Sequence, residues 1–391
     1  MIALRAWALR RRAPALRARA ARAALWALLV AAATACAPDA QTRDTMDEIF
    51  ESMRFVLPLS LNDESFSDPL RREAVLEALA RLERESSVLE THGMNQDASF
   101  SFLSGSLARD ARDVRSRYER GQIHEARFML QRMTEACVAC HSRLPSDRAF
   151  SMGRRFVKDV RVTSLPLDER AKLQTATRQF DAALETFEEL IRSPDFPPYE
   201  MGLMGHFADY LEICIRVRDD FERPLAVFEE LARGSDLPAY LRDDVDAWIE
   251  SLRELRDRPR AGSDLDTGRA LVHEAETRFE DSRHALVYYI AASGALHRFV
   301  AESPEEGVDV ARAYYRLGVI ESRIGRAYRL SQTEYLLETS IRLAPRAPFA
   351  DEAFALLEEF VASGYTGSAG TNVPPHVQRH LDELAQLIET P

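Results

Sequence analysis

Apolar residues recur along this chain at spacings of three and four nearly everywhere, the pattern of helices that bury one face. Between residues 45 and 142 the pattern resolves into four stripes. Met46, Ile49, Phe50, Met53 and Leu57 form the first, opened by a capping box at Thr45 and Glu48 and ended by Pro58. Val75, Leu79, Leu82 and Leu89 form the second, with Asp68-Pro69 as N-cap and first helical residue and Gly93 as the stop after His92. Leu103, Leu107, Ala111, Val114 and Tyr118 mark a third helix closed by Gly121. Ala126, Leu130, Met133, Cys137 and the pair Cys140-His141 mark a fourth, followed by Pro145. The second and third connections are short, so those neighbours are expected to be antiparallel; "PLSLNDESFSD" is a longer first connection.

Residues 146–167 show little periodicity and read as a linker. Helical segments return at about 168 and continue to 391. "RQFDAALETFEELIRSPDFPP" (178–198) and "YLLETSIRLAPRAPFADEAFALLEEF" (335–360) share an Ala/Leu-rich helix ending near a proline, and Leu317-Gly318 precedes the second. This pattern resembles tetratricopeptide repeats, where small residues let paired helices approach closely. "RDRPRAGSD" (256–264) is a candidate division within this part. Cys214, between Ile213 and Ile215, is expected to be a buried small hydrophobe.

Composition agrees with an all-α fold. Ala, Leu, Glu and Arg dominate, and no alternating β-branched run suggests a sheet. Charge adds an asymmetry. The formal net charge is −12, yet residues 1–36 hold seven arginines and no acid, so the remainder carries −19. Such an acidic body is repelled by phosphates, which argues against nucleic-acid binding. The basic stretch leads into "AALWALLVAAATA" (23–35), too short to span a bilayer, and the two together read as an export signal over residues 1–36. "AATAC" resembles a lipobox, which implies a diacylglycerol on the Cys36 thiol; Ala35-Cys36-Ala37 is also an A-x-A cleavage site. Both readings place the protein in a bacterial periplasm or cell envelope. The first tethers it to the outer membrane, with the anchor as its sole membrane contact.

The chemistry concentrates in "EACVACHSRLP" (135–145), where two of the four cysteines stand three apart with a histidine after the second. A structural zinc site needs a second ligand pair, and the remaining cysteines, Cys36 and Cys214, do not make one. A dithiol redox switch needs its first cysteine at a helix N-terminus, where the dipole lowers the thiol pKa, whereas this pair falls at a helix end. Covalent haem needs two thiols one helical turn apart to bond the two vinyl groups, and an imidazole beside them for the iron. C-x-x-C-H supplies these groups, and haem c is attached outside the cytoplasm, in keeping with the export signal.

Four helices with C-x-x-C-H near the end of the last resemble the cytochrome c-prime family over residues 42–145. The resemblance implies one covalent haem c, with Cys137 and Cys140 as thioethers and His141 as proximal iron ligand. It implies a distal residue from the first helix: a methionine in low-spin members, a non-ligating residue in five-coordinate ones. The family often carries Arg-Gln before the distal position and a basic residue four after the histidine; here "RDTM" and "HSRLP" stand, and Arg143 is the nearest propionate contact. In an up-down-up-down arrangement the end of helix four lies beside the start of helix one and the end of helix two. Met46 is therefore the first distal candidate, His92 the second and Met53 the third; a core role for each methionine, or a helix-capping role for His92, is the plainer alternative. The expected function is one-electron transfer at the cell envelope, with the helical repeats docking a redox partner protein. Small-gas (NO or CO) binding at a five-coordinate iron, and an envelope interaction scaffold, are the alternatives. No nucleophile–base set or Gly-rich phosphate loop suggests an enzyme.

Overall fold

The structure is a computed structural model that describes residues 40–391 apart from 62, 95, 146–152, 154–164, 194–204, 235–236, 260–261, 304–306, 325–330, 369 and 390–391. Residues 1–36, with Cys36, and nearly all of the expected linker lie outside the described residues. The fold is all-α, built from helices stacked on their sequence neighbours. Among the described residues its strands are one exposed hairpin, β1 (Thr366–Gly367) and β2 (Gly370–Thr371). No described helix is long and apolar enough to cross a membrane.

The N-terminal helices are α1 (Ala40–Ser60), α2 (Asp63–Ser67), α3 (Arg72–Gly93), α4 (Ala98–Glu119), α5 (Ile123–Arg132) and α6 (Thr134–His141). The expected stripes are their buried faces: Ile49 and Met53; Val75, Leu79, Leu82 and Leu89; Leu107, Ala111, Val114 and Tyr118; Ala126, Leu130 and Met133 share one core. Leu103 is buried as well. Gly121 closes α4 with a left-handed φ of 79°, a conformation glycine adopts without steric cost.

Several boundaries differ from expectation. Thr45 caps nothing: α1 already runs from Ala40, and Thr45 is buried inside it. Pro58 does not end α1, which continues to Ser60. There Arg127 Nε and Gln131 Nε2 of α5 donate to the Ser60 carbonyl at 2.5 and 2.8 Å, filling an acceptor that a helix end leaves open. Asp68-Pro69 forms a turn, with Leu70 N–H donating to Asp68 Oδ1 at 2.9 Å, and α3 begins at Arg72. Gly93 is a helical residue rather than a left-handed stop; a Cβ there would lie 2.2 Å from Ser104 Oγ, so its role is close contact with α4. The expected fourth helix is broken at Met133 into α5 and α6.

The C-terminal part contains α7 (Leu167–Ala176), α8 (Phe180–Arg192), α9 (His206–Glu212), α10 (Glu222–Ala232), α11 (Ala239–Asp257), α12 (Asp264–Arg278), α13 (Leu286–Glu302), α14 (Val308–Ile324), α15 (Thr333–Leu343), α16 (Ala350–Gly364) and α17 (Pro375–Glu389). α9 passes directly into a wider π turn at Ile213–Val217. Consecutive pairs such as α7–α8, α10–α11, α12–α13 and α14–α15 pack together. One apolar cluster takes in Ala98 of α4 and runs from Ala171 to Leu384, including Leu255 and Leu265 on either side of 256–264. Cys214 is fully buried in it.

A Cβ at Gly318 would stand 2.6 Å from Leu337 Cδ2, so this glycine sets the approach of α14 to α15. Gly318→Val is expected to destabilise the protein by about 1–3 kcal/mol through overpacking. A urea midpoint equal to that of the parent would show that α15 yields at no cost.

Candidate functional site

α6 is eight residues long, and residues three and four apart lie on one face of a helix. Cys137, Cys140 and His141 therefore share a face of α6. Both thiols are free and half-buried, and Cys137 Sγ lies 3.7 Å from the Met133 carbonyl at the break. Burial pushes the Cys137 thiol up to about 12. It raises Cys140 too, against the nearby charge of Arg143. Protonated, buried thiols are poor thiolate nucleophiles, the opposite of what a dithiol exchange site requires. Among the described residues no three His, Cys, Asp or Glu side chains are grouped to hold a metal ion.

His141 is fixed from outside the N-terminal helices. Its Nδ1 lies 2.8 Å from the Ala176 carbonyl at the end of α7. A carbonyl only accepts, so Nδ1 carries the proton and, in the neutral ring, Nε2 keeps its lone pair. Burial, reinforced by the Arg178 charge, takes the imidazole down to about 4, so it is neutral at pH 7. Lys172 of α7 also pairs with Glu135 of α6 at 3.4 Å.

The segment after α6 is equally anchored. Buried Arg143 forms an ion pair with half-buried Asp97, the N-cap of α4, which also accepts from Phe100 N–H at 3.1 Å. Arg143 Nε is buried without a partner among the described residues. Ser142 donates to Glu212 Oε2 of α9 at 3.4 Å, and that oxygen lies 3.4 Å from Arg216 Nη1 in the π turn. Arg216 is buried, donates from Nε to Ser293 at 2.8 Å, and is brought down to about 10 by that burial. His297 lies buried in α13, where burial and the charges of Arg143 and Arg216 hold it well below the usual imidazole range. A second tie joins the start of α4 to the later helices: Ala98 N–H donates to the Tyr314 hydroxyl at 2.8 Å.

The distal candidates lie elsewhere on the N-terminal helices. Met46 is in the second turn of α1, half-buried and packed on the N-terminal core, not at a helix start. Met53 is buried in that core. His92 near the end of α3 accepts from the Gln96 amide at 3.4 Å and meets Phe100 edge-on at 6.3 Å; neither contact is a carbonyl cap. α6 takes its contacts mainly from α4 and α7, whereas α1 packs on α3 and α5.

Sequence reading misses Asp97, Ala176, Arg178, Glu212 and Arg216. They reach α6 only through tertiary packing, and no local spacing announces them. Comparisons of the chain with protein families, with characterised proteins and with solved structures found no match.

Proposed function

We propose that this chain is an exported monohaem c-type cytochrome that passes single electrons at the cell envelope, with the C-terminal helices docking its redox partner. The observation that carries this reading is α6: two free thiols on one helical face beside an imidazole whose Nδ1–H is donated to a backbone carbonyl. Metal-binding histidines are oriented in this way, with the second ring nitrogen hydrogen-bonded and the first left for the metal. The residues fit the group. Cys137 and Cys140 are the thioether donors, His141 Nε2 is the proximal donor, and the orphaned Nε of buried Arg143 suits a propionate carboxylate. Haem c, when bound, supplies reversible one-electron exchange between Fe(III) and Fe(II).

The protein's part is to hold the donor imidazole neutral and oriented, to exclude water around it, and to keep its bonding face fixed. α7 does the first through Ala176, and packing of α6 against α4 and α7 does the second. Met46 is the proposed distal ligand, with His92 as the alternative. Cys36 is the proposed lipid attachment site. Membership of the cytochrome c-prime family for residues 42–145, and repeat character for the later helices, belong to the same proposal.

One observation favours the gas-binding reading. α1, which carries Met46, packs on α3 and α5 rather than chiefly on α6, and a five-coordinate iron needs no ligand from it. Absorption spectra of the purified protein decide between them. With Met46 as ligand, the ferric protein is low-spin with a weak near-infrared sulfur band, and Met46→Leu converts it to high spin. A low-spin spectrum unchanged in Met46→Leu excludes Met46 and makes His92→Ala the informative variant. A high-spin parent that binds CO rapidly supports gas binding.

A further inference from the structure

We propose that Arg216, in the π turn that follows α9, is a second haem-holding residue, its Nη2 taking one propionate carboxylate while Arg143 Nε takes the other. The inference rests on the haem reading above and adds to it a residue from the C-terminal part. Two nitrogens of Arg216 are engaged: Nε donates to Ser293 Oγ of α13 at 2.8 Å, and Nη1 lies 3.4 Å from Glu212 Oε2. Its Nη2 is buried without a partner among the described residues, as is Arg143 Nε. The two side chains are only 4% and 5% exposed. An interior guanidinium donor left unused carries a desolvation cost that an acceptor would recover.

The fold holds Arg216 in place before any ligand arrives. Arg218 N–H reaches back five residues to the Ile213 carbonyl at 3.0 Å, and this wider turn interrupts the regular helical spacing at Arg216. Ser293 Oγ, which accepts from Arg216, itself donates to the Ile290 carbonyl at 2.7 Å. The arginine stem lies along α13 at Gly294, where an added Cβ would stand 3.5 Å from Arg216 Cγ. A planar guanidinium fixed in this way suits a carboxylate acceptor.

The same packing brings Arg216 to the end of α6. Ser142 and Arg143 directly follow His141, and Ser142 Oγ lies 3.4 Å from Glu212 Oε2, the oxygen that meets Arg216 Nη1. One buried carboxylate oxygen thus joins the residue beside His141 to Arg216. Arg143 is tied on its other side to Asp97 at the start of α4. Haem c carries a pair of propionates, and this junction offers a pair of buried guanidinium groups with an open donor each. The nearby acids leave Nη2 to an outside acceptor. Glu212 is used on Nη1 and Ser142, Asp209 lies 4.0 Å from His206, and burial raises Glu321 of α14 towards its neutral form. The haem is thereby gripped from both parts of the chain.

The test is resonance Raman spectroscopy of the full-length holoprotein, because haem propionate bending bands move when a carboxylate gains or loses a hydrogen bond. The parent is expected to show both propionates hydrogen-bonded. Arg216→Gln keeps a donor for Ser293 but removes Nη2, and is expected to shift one band to the unbonded position. Arg143→Gln is expected to shift the other. Glu212→Gln disturbs the ion pair of Arg216 but keeps its Nη2, and is expected to shift neither. Where Arg216→Gln does not accumulate, the double variant with Glu212→Gln, which leaves no lone carboxylate, takes its place. Both bands unmoved in the Arg216 variant, or the same shift in Glu212→Gln alone, would overturn the proposal while leaving the haem reading intact. So would a parent with one unbonded propionate, without any variant. A parent that loses all haem to acid–acetone would overturn both.

Discussion

Alanine at both Cys137 and Cys140 is expected to abolish covalent haem, so that denaturing electrophoresis shows a haem-stained band for the parent and none for the double variant. Each single variant keeps one bond and is expected to give a weaker band from a less stable holoprotein. The physical basis is local. The two thiols are free, three residues apart and on the face of α6 that carries His141, so a single flat ligand can meet both. Their burial, which pushes Cys137 up to about 12, leaves them unsuited to exchange with external disulfides at neutral pH. A dithiol switch would instead show parent protein without haem and a pair that oxidises reversibly. Haem that washes out of the parent sinks the central proposal.

The second large effect concerns the ion pair behind α6. Arg143→Met removes the partner of Asp97, whose carboxylate is largely enclosed, 13% exposed, at the start of α4. Breaking a buried pair from one side costs about 3–5 kcal/mol, because the remaining charge keeps its desolvation penalty without compensation. Asp97→Ala should cost at least as much, since it also removes the N-cap acceptor for Phe100 N–H. Urea unfolding gives the size of the loss, and hydrogen exchange gives its location: Phe100 and its neighbours at the start of α4 should lose protection first. A midpoint within experimental error of the parent, for both variants, would show that water already reaches Asp97.

Much of the fold was legible because helices advertise themselves by spacing. The stripes through Val75 to Leu89 and Leu107 to Tyr118 are buried as written, since a 3.6-residue period has one way to hide its apolar face. Boundaries were less legible. Thr45 and Glu48 satisfy the capping-box pattern, yet the pattern says nothing about whether the preceding residues are already helical, and Ala40–Asp44 are. Pro58 forbids one backbone hydrogen bond without forbidding the helix, and Arg127 and Gln131, about seventy residues later, complete the end it was expected to make. Gly93 suggests backbone freedom in the sequence, whereas its use is the missing Cβ facing Ser104.

The candidate site divides in the same way. Cys137, Cys140 and His141 were legible because their chemistry is local to one turn of helix. Their surroundings were not, because Ala176 contributes a carbonyl that any residue type possesses, and Glu212 and Arg216 lie on a helix whose other residues look like ordinary core. A polar stripe along His206, Asp209, Glu212 and Arg216 in an otherwise apolar stretch is the one signal that could have marked a buried polar junction.

The shortness of α6 has a consequence for timing. Eight residues are too few for a helix to persist alone in water, so α6 depends on its neighbours for its existence. One of those neighbours, α7, follows it in the chain and covers it. Before α7 arrives, the cysteines belong to a supple peptide that a modifying enzyme can grip from any side. Afterwards they belong to a half-buried face packed between α4 and α7. Under the proposed reading, covalent modification of Cys137 and Cys140 falls before residue 167 docks, and the order of the chain acts as the clock.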